Sequence, residues 1–469
     1  MTIIFAIGAG IFTIIGLHFY SVMMSRTKNH VLRVLSLPLF IILFVGGAVL
    51  GCTMILIFLV GDTTRPTHGN WGFLTLLVWI GTVGIYIFFN LGSLKKRFDG
   101  TGPDRQQSRT LDPDTTCPSG RGHKLGYVPE LDGLRGFAIL CVMICHGTQH
   151  LPGGFIGVDI FFVLSGLLIT ALLIEEFARA NTISMLNFYQ RRVFRLVPAL
   201  AAMLMTYCLL TLIIRGPRSG VGSCIDAAVA FAYVTNWAQV FGFHSSFYLR
   251  HTWSLSVEEQ FYILWPFILV TLLRITNVKG QAVLVACAIA LFSWLLRACL
   301  CAHAAALDSI YIRLDTRADS LMIGCALGAV LFSRMVTERA KKMLQRLMVI
   351  LAPLSFSGLI ALSFFADVKD PRMYYFGFEL VDFLTAALII DVFFGHRSII
   401  QKVLAMKWLV WVGSISYGLY LWHYIVYLTL YGMDFNSMAT FTVGSLVTFL
   451  VAALSYYAME KPILRLKRR

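Results

Sequence analysis

Long apolar runs follow one another along almost the whole chain, separated by short polar loops. A membrane-spanning helix needs about 20 mostly apolar residues, so the pattern predicts an all-α, polytopic transmembrane protein. A transmembrane barrel would instead show segments of about ten residues with alternating polarity. Three spans are expected first, near residues 2–24, 34–60 and 71–92. No basic residue precedes the first apolar run, whereas Arg26 and Lys28 follow it. That order suits a retained span and not a cleaved signal peptide.

Residues 93–126 form the long polar stretch. They are rich in Gly, Pro, Ser and Thr, and their lysines and arginines outnumber four aspartates. The stretch reads as a cytoplasmic linker between a three-span unit over residues 1–92 and a second membrane unit over 127–469. In that second unit a span near 134–150 is followed by a Pro-Gly-Gly turn at 152–154, a return through 155–175 and a crossing at 197–215. Residues 224–241 are apolar, but a full span there would put every later basic loop on the wrong face. Read as re-entrant or shallow, they leave ten spans in this unit and thirteen in all, with the N-terminus outside and the C-terminus inside.

Composition agrees with the pattern. Of 469 residues, 58% are hydrophobic and 13% charged, against about 25% charged in a soluble domain. The net charge of +15 would suit a nucleic-acid binder. The cations lie in short loops between apolar runs, however, which is the distribution expected of cytoplasmic loops. No nucleic-acid partner is expected, and membrane lipids are. Ten cysteines occur, nearly all in apolar runs and none as a Cys-x-x-Cys pair. They read as small buried apolar residues, with no metal site implied.

Against this apolar background the polar residues inside spans stand out, because ionisable groups there are costly and usually mark function. Arg135 opens the 134–150 span, just after Asp132, and His146 follows eleven residues on. Three helical turns span about 16 Å, so the two share a face at different depths. An arginine can hold a phosphate or carboxylate, and a histidine in a dry site can take a proton from a hydroxyl. Alone, each would equally suit an anchor and a packed core imidazole. Asp159, Ser165 and Gly166 lie within the next span, the last two suiting close helix packing as well. Arg191, Arg192 and Arg195 sit beside the membrane, as positive anchors or as a dock for an anion.

Further along, Trp253 leads to Glu258 and Glu259 at the start of a span. Acids there favour the helix dipole, which accounts for one glutamate better than for two. Arg317 and Asp319 fall at the outer end of another span, and Ser416, Tyr417, Tyr420 and His423 line a late one.

Taken together, these residues resemble the acyltransferase 3 family of integral-membrane acyltransferases. The resemblance covers about residues 127–462 and five motifs in order. They are Leu131-Asp-Gly-Leu-Arg135 with His146 after ten further residues, Phe161 to Gly166, Arg191 to Pro198, Trp253 to Tyr262, and Ser416 to His423. The resemblance implies transfer of an acyl group, commonly acetyl, from cytoplasmic acyl-coenzyme A as co-substrate. The implied acceptor is a hydroxyl of a surface or lipid-linked carbohydrate such as O-antigen, exopolysaccharide or peptidoglycan. The implied location is the bacterial cytoplasmic membrane. It also implies that Arg135 and His146 are catalytic, and it gives the first three spans no role.

The mechanism expected on this basis places coenzyme A against Arg191, Arg192 and Arg195, with Ser165 on the donor side. His146 deprotonates the acceptor or carries the acyl group, Arg135 orients the donor, and Glu258 orients His146 or the acceptor. Asp132, Asp159, Trp253, Glu259, Arg317, Asp319, Tyr420 and His423 are expected around the acceptor or behind these groups. Two other readings stay open at this point. One is a proton-coupled transporter or flippase for an acidic or lipid-linked substrate, which the same intramembrane residues suit. The other is a non-catalytic scaffold recruiting a glycan-assembly partner.

Overall fold

The computed structural model describes residues 126–466, except 149, 216, 244–245, 276–279, 334 and 396–397. The three expected N-terminal spans and the linker up to residue 125 lie outside the described residues. No strand occurs among the described residues, and the regular structure is helical throughout.

Helix α1 is Pro129–Gly147. Pro129 stands at its first position, where a missing N–H costs nothing, and Glu130 and Asp132 face the positive end of the helix dipole in its first turn. A short turn, Pro152–Ile156, leads into α2, Gly157–Ala180. Helix α2 is the centre of the bundle. Residues 160–174 carry no charge on any side, and 78% of the membrane-length window is buried, against 17% for α7, Gln281–Ala302, at the edge.

Helix α3, Met185–Arg215, starts earlier than the apolar run suggests, so the arginines at 191, 192 and 195 lie on the helix itself. Residues 224–241 do not form one continuous helix. They divide between α4, Pro217–Phe231, and α5, Thr235–Val240, with Tyr233 in the left-handed region at φ 54° between them. Helix α6, Trp253–Ile275, follows, and then α7. After α7 come α8, Leu307–Ile312, and α9, Leu314–Phe332. Helix α10, Glu338–Phe365, is capped by Thr337, whose hydroxyl accepts from the Ala340 amide. Helix α11, Phe378–Phe394, follows a single π turn.

The chain closes with α12, Ile399–Leu404, α13, Lys407–Ser414, α14, Ser416–Tyr431, α15, Ser437–Ser455, and α16, Lys461–Leu466. Six of the described helices are long and apolar enough to cross a membrane, or seven if the α13–α14 pair, bent by 70°, is one span. Helices α1 and α9 fall outside that set because each carries three charged residues, and α11 because it has 17 residues. Eight cysteines lie among the described residues, all as free thiols. Cys224, Cys287 and Cys299 are exposed where burial was expected.

Glycines bring backbones together at the helix crossings. A Cβ on Gly166 of α2 would collide with the Leu321 carbonyl of α9, and one on Gly324 of α9 with the Val163 carbonyl of α2. The pairing of α1 with α12 and α13 works the same way: Gly133 meets Leu404, Gly136 meets Leu409, and Gly413 meets Asp132, each at backbone distance. Small residues allow this close approach in membranes, where no hydrophobic force drives helices together. Gly324→Leu is therefore expected to destabilise the bundle by roughly 1–3 kcal/mol or more, as overpacking does. Thermal unfolding of the detergent-solubilised chain, followed by fluorescence size exclusion, checks this against Gly222→Leu, where a Cβ meets nothing within 4 Å.

Candidate active site

Helices α1 and α14 run side by side in the same direction. Arg135 and His146 lie three turns apart on α1, and Ser416, Tyr420 and His423 share one face of α14 through spacings of four and three. Arg135 Nη2 donates to Ser416 Oγ at 3.1 Å. Nearer the other end, His146 Nδ1 lies 2.9 Å from His423 Nε2, with the ring centroids 5.2 Å apart and the ring planes 15° apart. The Tyr431 hydroxyl then donates to the Gly147 carbonyl at 3.1 Å.

Beside the Arg135 end lies a cavity of about 210 Å³. Helix α1 lends it Arg135, α2 Ser165, α3 Arg192 and Arg195, and α6 Glu258 and Glu259. Three guanidiniums against two carboxylates leave the wall net positive when all are ionised. Ser165 Oγ donates to Glu258 Oε1 at 2.5 Å and accepts from the Tyr262 hydroxyl at 3.0 Å. The Arg192 guanidinium lies 3.5 Å above the Tyr262 ring, a cation–π contact that holds its charge towards the wall. Glu258 is thus tied to Ser165 and not to His146, the partner expected as one of its options. Tyr417 and Tyr420 complete the wall, with Tyr420 OH 2.6 Å from Ser254 Oγ and donating to the His251 carbonyl at 2.9 Å.

Behind Tyr420 sit three imidazoles. His251 packs against His423 with ring centroids 5.7 Å apart and against Tyr424 at 5.0 Å, and Tyr424 also meets His146 at 5.2 Å. None of the three histidines lines the cavity, whereas Tyr420 touches both the cavity and this cluster. His251 has no role assigned from the sequence, although it opens the stretch 251–266 that supplies Ser254, Glu258 and Glu259 to the wall. Among the described residues no group of His, Cys, Asp and Glu is arranged to hold a metal ion.

Other expected site residues lie elsewhere. Arg191 points away, pairs with Glu176 at 3.0 Å and leaves 53% of its side chain exposed. Trp253 packs on Phe162 and Tyr311 at 6.1 and 4.9 Å without reaching the cavity. Asp132 meets Gly413 through its backbone. Asp159, Arg317 and Asp319 belong to a buried ion cluster. Arg317 pairs with Asp159, and Arg297 pairs with Asp319 at 2.6 Å and with Glu379. The Arg317 guanidinium also rests 3.8 Å from the Phe378 ring. Asp382, fully buried, completes the set. Arg297, Glu379 and Asp382 were missed in the sequence, although a charge inside an apolar run marks each of them. The cluster joins α2, α7, α9 and α11.

Fold and site together define a polytopic helical membrane protein with a cationic cavity against one helix end and an imidazole cluster beyond it. The chain belongs to the acyltransferase 3 family, whose acyltransferase domain matches residues 128–458. It is similar to the O-acetyltransferase OatA of Staphylococcus aureus, with 35% identity over 351 residues, 72% of this chain and 57% of that protein. It is also similar to the putative peptidoglycan O-acetyltransferase YrhL of Bacillus subtilis, with 34% identity over 350 residues, 72% of this chain and 55% of that protein. The chain thus spans little more than half the length of these relatives. No solved structure matches it.

The ion cluster and the exposed pair make contrasting predictions. Removing one partner of a buried pair leaves a charge stranded and costs about 3–5 kcal/mol. Asp159→Leu is expected to lower stability by that order, and the double variant Asp159→Leu/Arg317→Met to recover most of it. Arg191→Ala, which breaks an exposed pair, is expected to change stability by about 1 kcal/mol or less. Chemical or thermal unfolding in detergent micelles measures all three, and an Asp159→Leu chain as stable as the parent would contradict the assignment.

Proposed function

We propose that this chain is a membrane-bound O-acetyltransferase. It takes an acetyl group from acetyl-coenzyme A on the cytoplasmic side of a bacterial cytoplasmic membrane. It gives that group to a hydroxyl of a surface or lipid-linked carbohydrate on the other side. The observation that carries this reading is the division of labour along α1. Its Arg135 end faces a cavity with three guanidiniums, and its His146 end faces imidazoles. Family membership and the names of the relatives support acetyl transfer, and the name of YrhL makes a peptidoglycan sugar an acceptor to test beside O-antigen.

Arg192 and Arg195 are assigned to the anionic groups of the coenzyme, which guanidiniums recognise by paired hydrogen bonds. Arg191, exposed and already paired, contributes only general attraction. The coenzyme is held at the cavity, and its acyl thioester extends past Tyr420, which touches both the cavity and the imidazole cluster, to reach His146. The acceptor oxygen attacks the thioester carbonyl carbon while its proton passes to His146. The carbon–sulfur bond then breaks, the coenzyme leaves as thiolate, and the proton returns to that sulfur. Arg135, held by Ser416 three turns from His146, orients the donor. Glu258, fixed by Ser165, balances the guanidiniums. A proton-coupled carrier could use similar groups, but the match to an acyltransferase domain across most of the described chain favours transfer.

Acetyl release from labelled acetyl-coenzyme A by membranes holding the full chain, with mass spectrometry of the envelope glycans, tests this reading. His146→Ala is expected to lower transfer by about 100-fold or more. Arg192→Ala and Arg195→Ala are each expected to raise KM for acetyl-coenzyme A by about 10-fold, and Arg191→Ala to change it little. Undiminished transfer by His146→Ala at equal protein level would overturn the assignment.

A further inference from the structure

We propose that His423 is a positioning residue that fixes the tautomer of His146 and so decides which of its nitrogens can act as base. Nδ1 of His423 lies 3.1 Å from the Leu419 carbonyl oxygen and 2.7 Å from that of Tyr420. Both carbonyls belong to the preceding turn of α14, and a carbonyl oxygen can only accept. Nδ1 of His423 is therefore its N–H nitrogen, and in the neutral ring Nε2 carries the lone pair. That Nε2 lies 2.9 Å from Nδ1 of His146. Two lone pairs make no hydrogen bond, so the proton between the rings belongs to Nδ1 of His146. Nε2 of His146 is left as the acceptor nitrogen.

The chain of consequence therefore runs from two backbone carbonyls of α14, through His423, to Nε2 of His146. The tautomer of a histidine is set by the hydrogen bond its other nitrogen makes. Free histidine in water prefers its proton on Nε2, so His146 is held in the form it would otherwise populate less. In serine hydrolases a carboxylate does this to the catalytic imidazole. Here a neutral imidazole does it inside an apolar bundle, where a buried anion would be far more costly. The two rings lie nearly in one plane, 15° apart with centroids at 5.2 Å, so the N–H of His146 points along the lone pair of His423. His251 stands outside this chain: its Nε2 faces the Leu421 carbonyl at 3.3 Å, and its Nδ1 has no partner.

This inference rests on the reading of His146 as the base, but its test does not depend on turnover. The full chain, labelled with ¹⁵N,¹³C-histidine and placed in phosphatidylcholine nanodiscs, is examined by magic-angle-spinning NMR, with His146→Gln assigning the signal. The expected spectrum at neutral pH shows a proton on Nδ1 of His146 and none on Nε2. In His423→Leu that proton moves to Nε2, and kcat falls by about 100-fold or more while KM for acetyl-coenzyme A stays near its parent value. In His423→Gln, whose side-chain oxygen can accept the same proton, both the tautomer and much of kcat return. A proton on Nε2 in the parent chain, or on Nδ1 unchanged in His423→Leu, overturns the lock. A lock seen as expected in a chain whose His146→Ala variant still transfers acetyl sinks the base reading instead, so the two failures are told apart.

Discussion

A polar side chain between apolar helices has no water to turn to and must find its partner on another helix. The two such groups on α1 find theirs on α14: Arg135 meets Ser416 and His146 meets His423. Much of the local architecture follows. Helix α14 lies beside α1 because α13 packs backbone to backbone against it at Gly413 and Gly136. The 70° bend between α13 and α14 then redirects the chain so that the polar face of α14 follows α1 outward from its start. The same constraint shapes the opposite half of the bundle, where Arg297 and Arg317 are placed against Asp159, Asp319 and Glu379.

Helix α2 shows how one short motif serves two neighbours. Ser165 and Gly166 are adjacent, so they point about 100° apart around the helix. Ser165 turns to the cavity and fixes Glu258, whereas Gly166 admits the backbone of α9. Close packing therefore holds for Gly166, whereas Ser165 faces the cavity. The arginines of α3 divide in the same manner. Arg192 and Arg195 turn into the cavity, while Arg191, next to Arg192 but rotated outward, pairs with Glu176.

Much of this was legible in the residue pattern. The helices of the second unit, the Arg135–His146 face and the motifs that supply Ser165, Arg192, Glu258 and Tyr420 all follow from periodicity, costly intramembrane charge and family resemblance. What escaped was pairing over long stretches of chain. Nothing local to Asp159 says that Arg317 is its partner, and nothing local to Glu258 says that Ser165 takes the place proposed for His146. Arg297 and Asp382 were passed over because a single charge in an apolar run discloses its cost but not its partner. The start of α3 at Met185 was not legible from the apolar run, which begins only after the three arginines.

The glycine crossings carry a mechanical consequence. They clamp α1 to α12 and α13, and α2 to α9, at main-chain distance, while the turn between α1 and α2 is pinned by Gly154 and Gly157 against the carbonyls of Cys141 and Ala138. Main-chain atoms in such contact can neither slide nor tilt without first separating, because no flexible side chain lies between them to take up the movement. A rocker-switch, in which one half of a bundle swings against the other to expose a central site alternately, would have to open these seams on every cycle. Helices α1, α2, α9, α12 and α13 instead form a stator. Whatever passes along α1 is left to the torsions of the side chains that line the cavity.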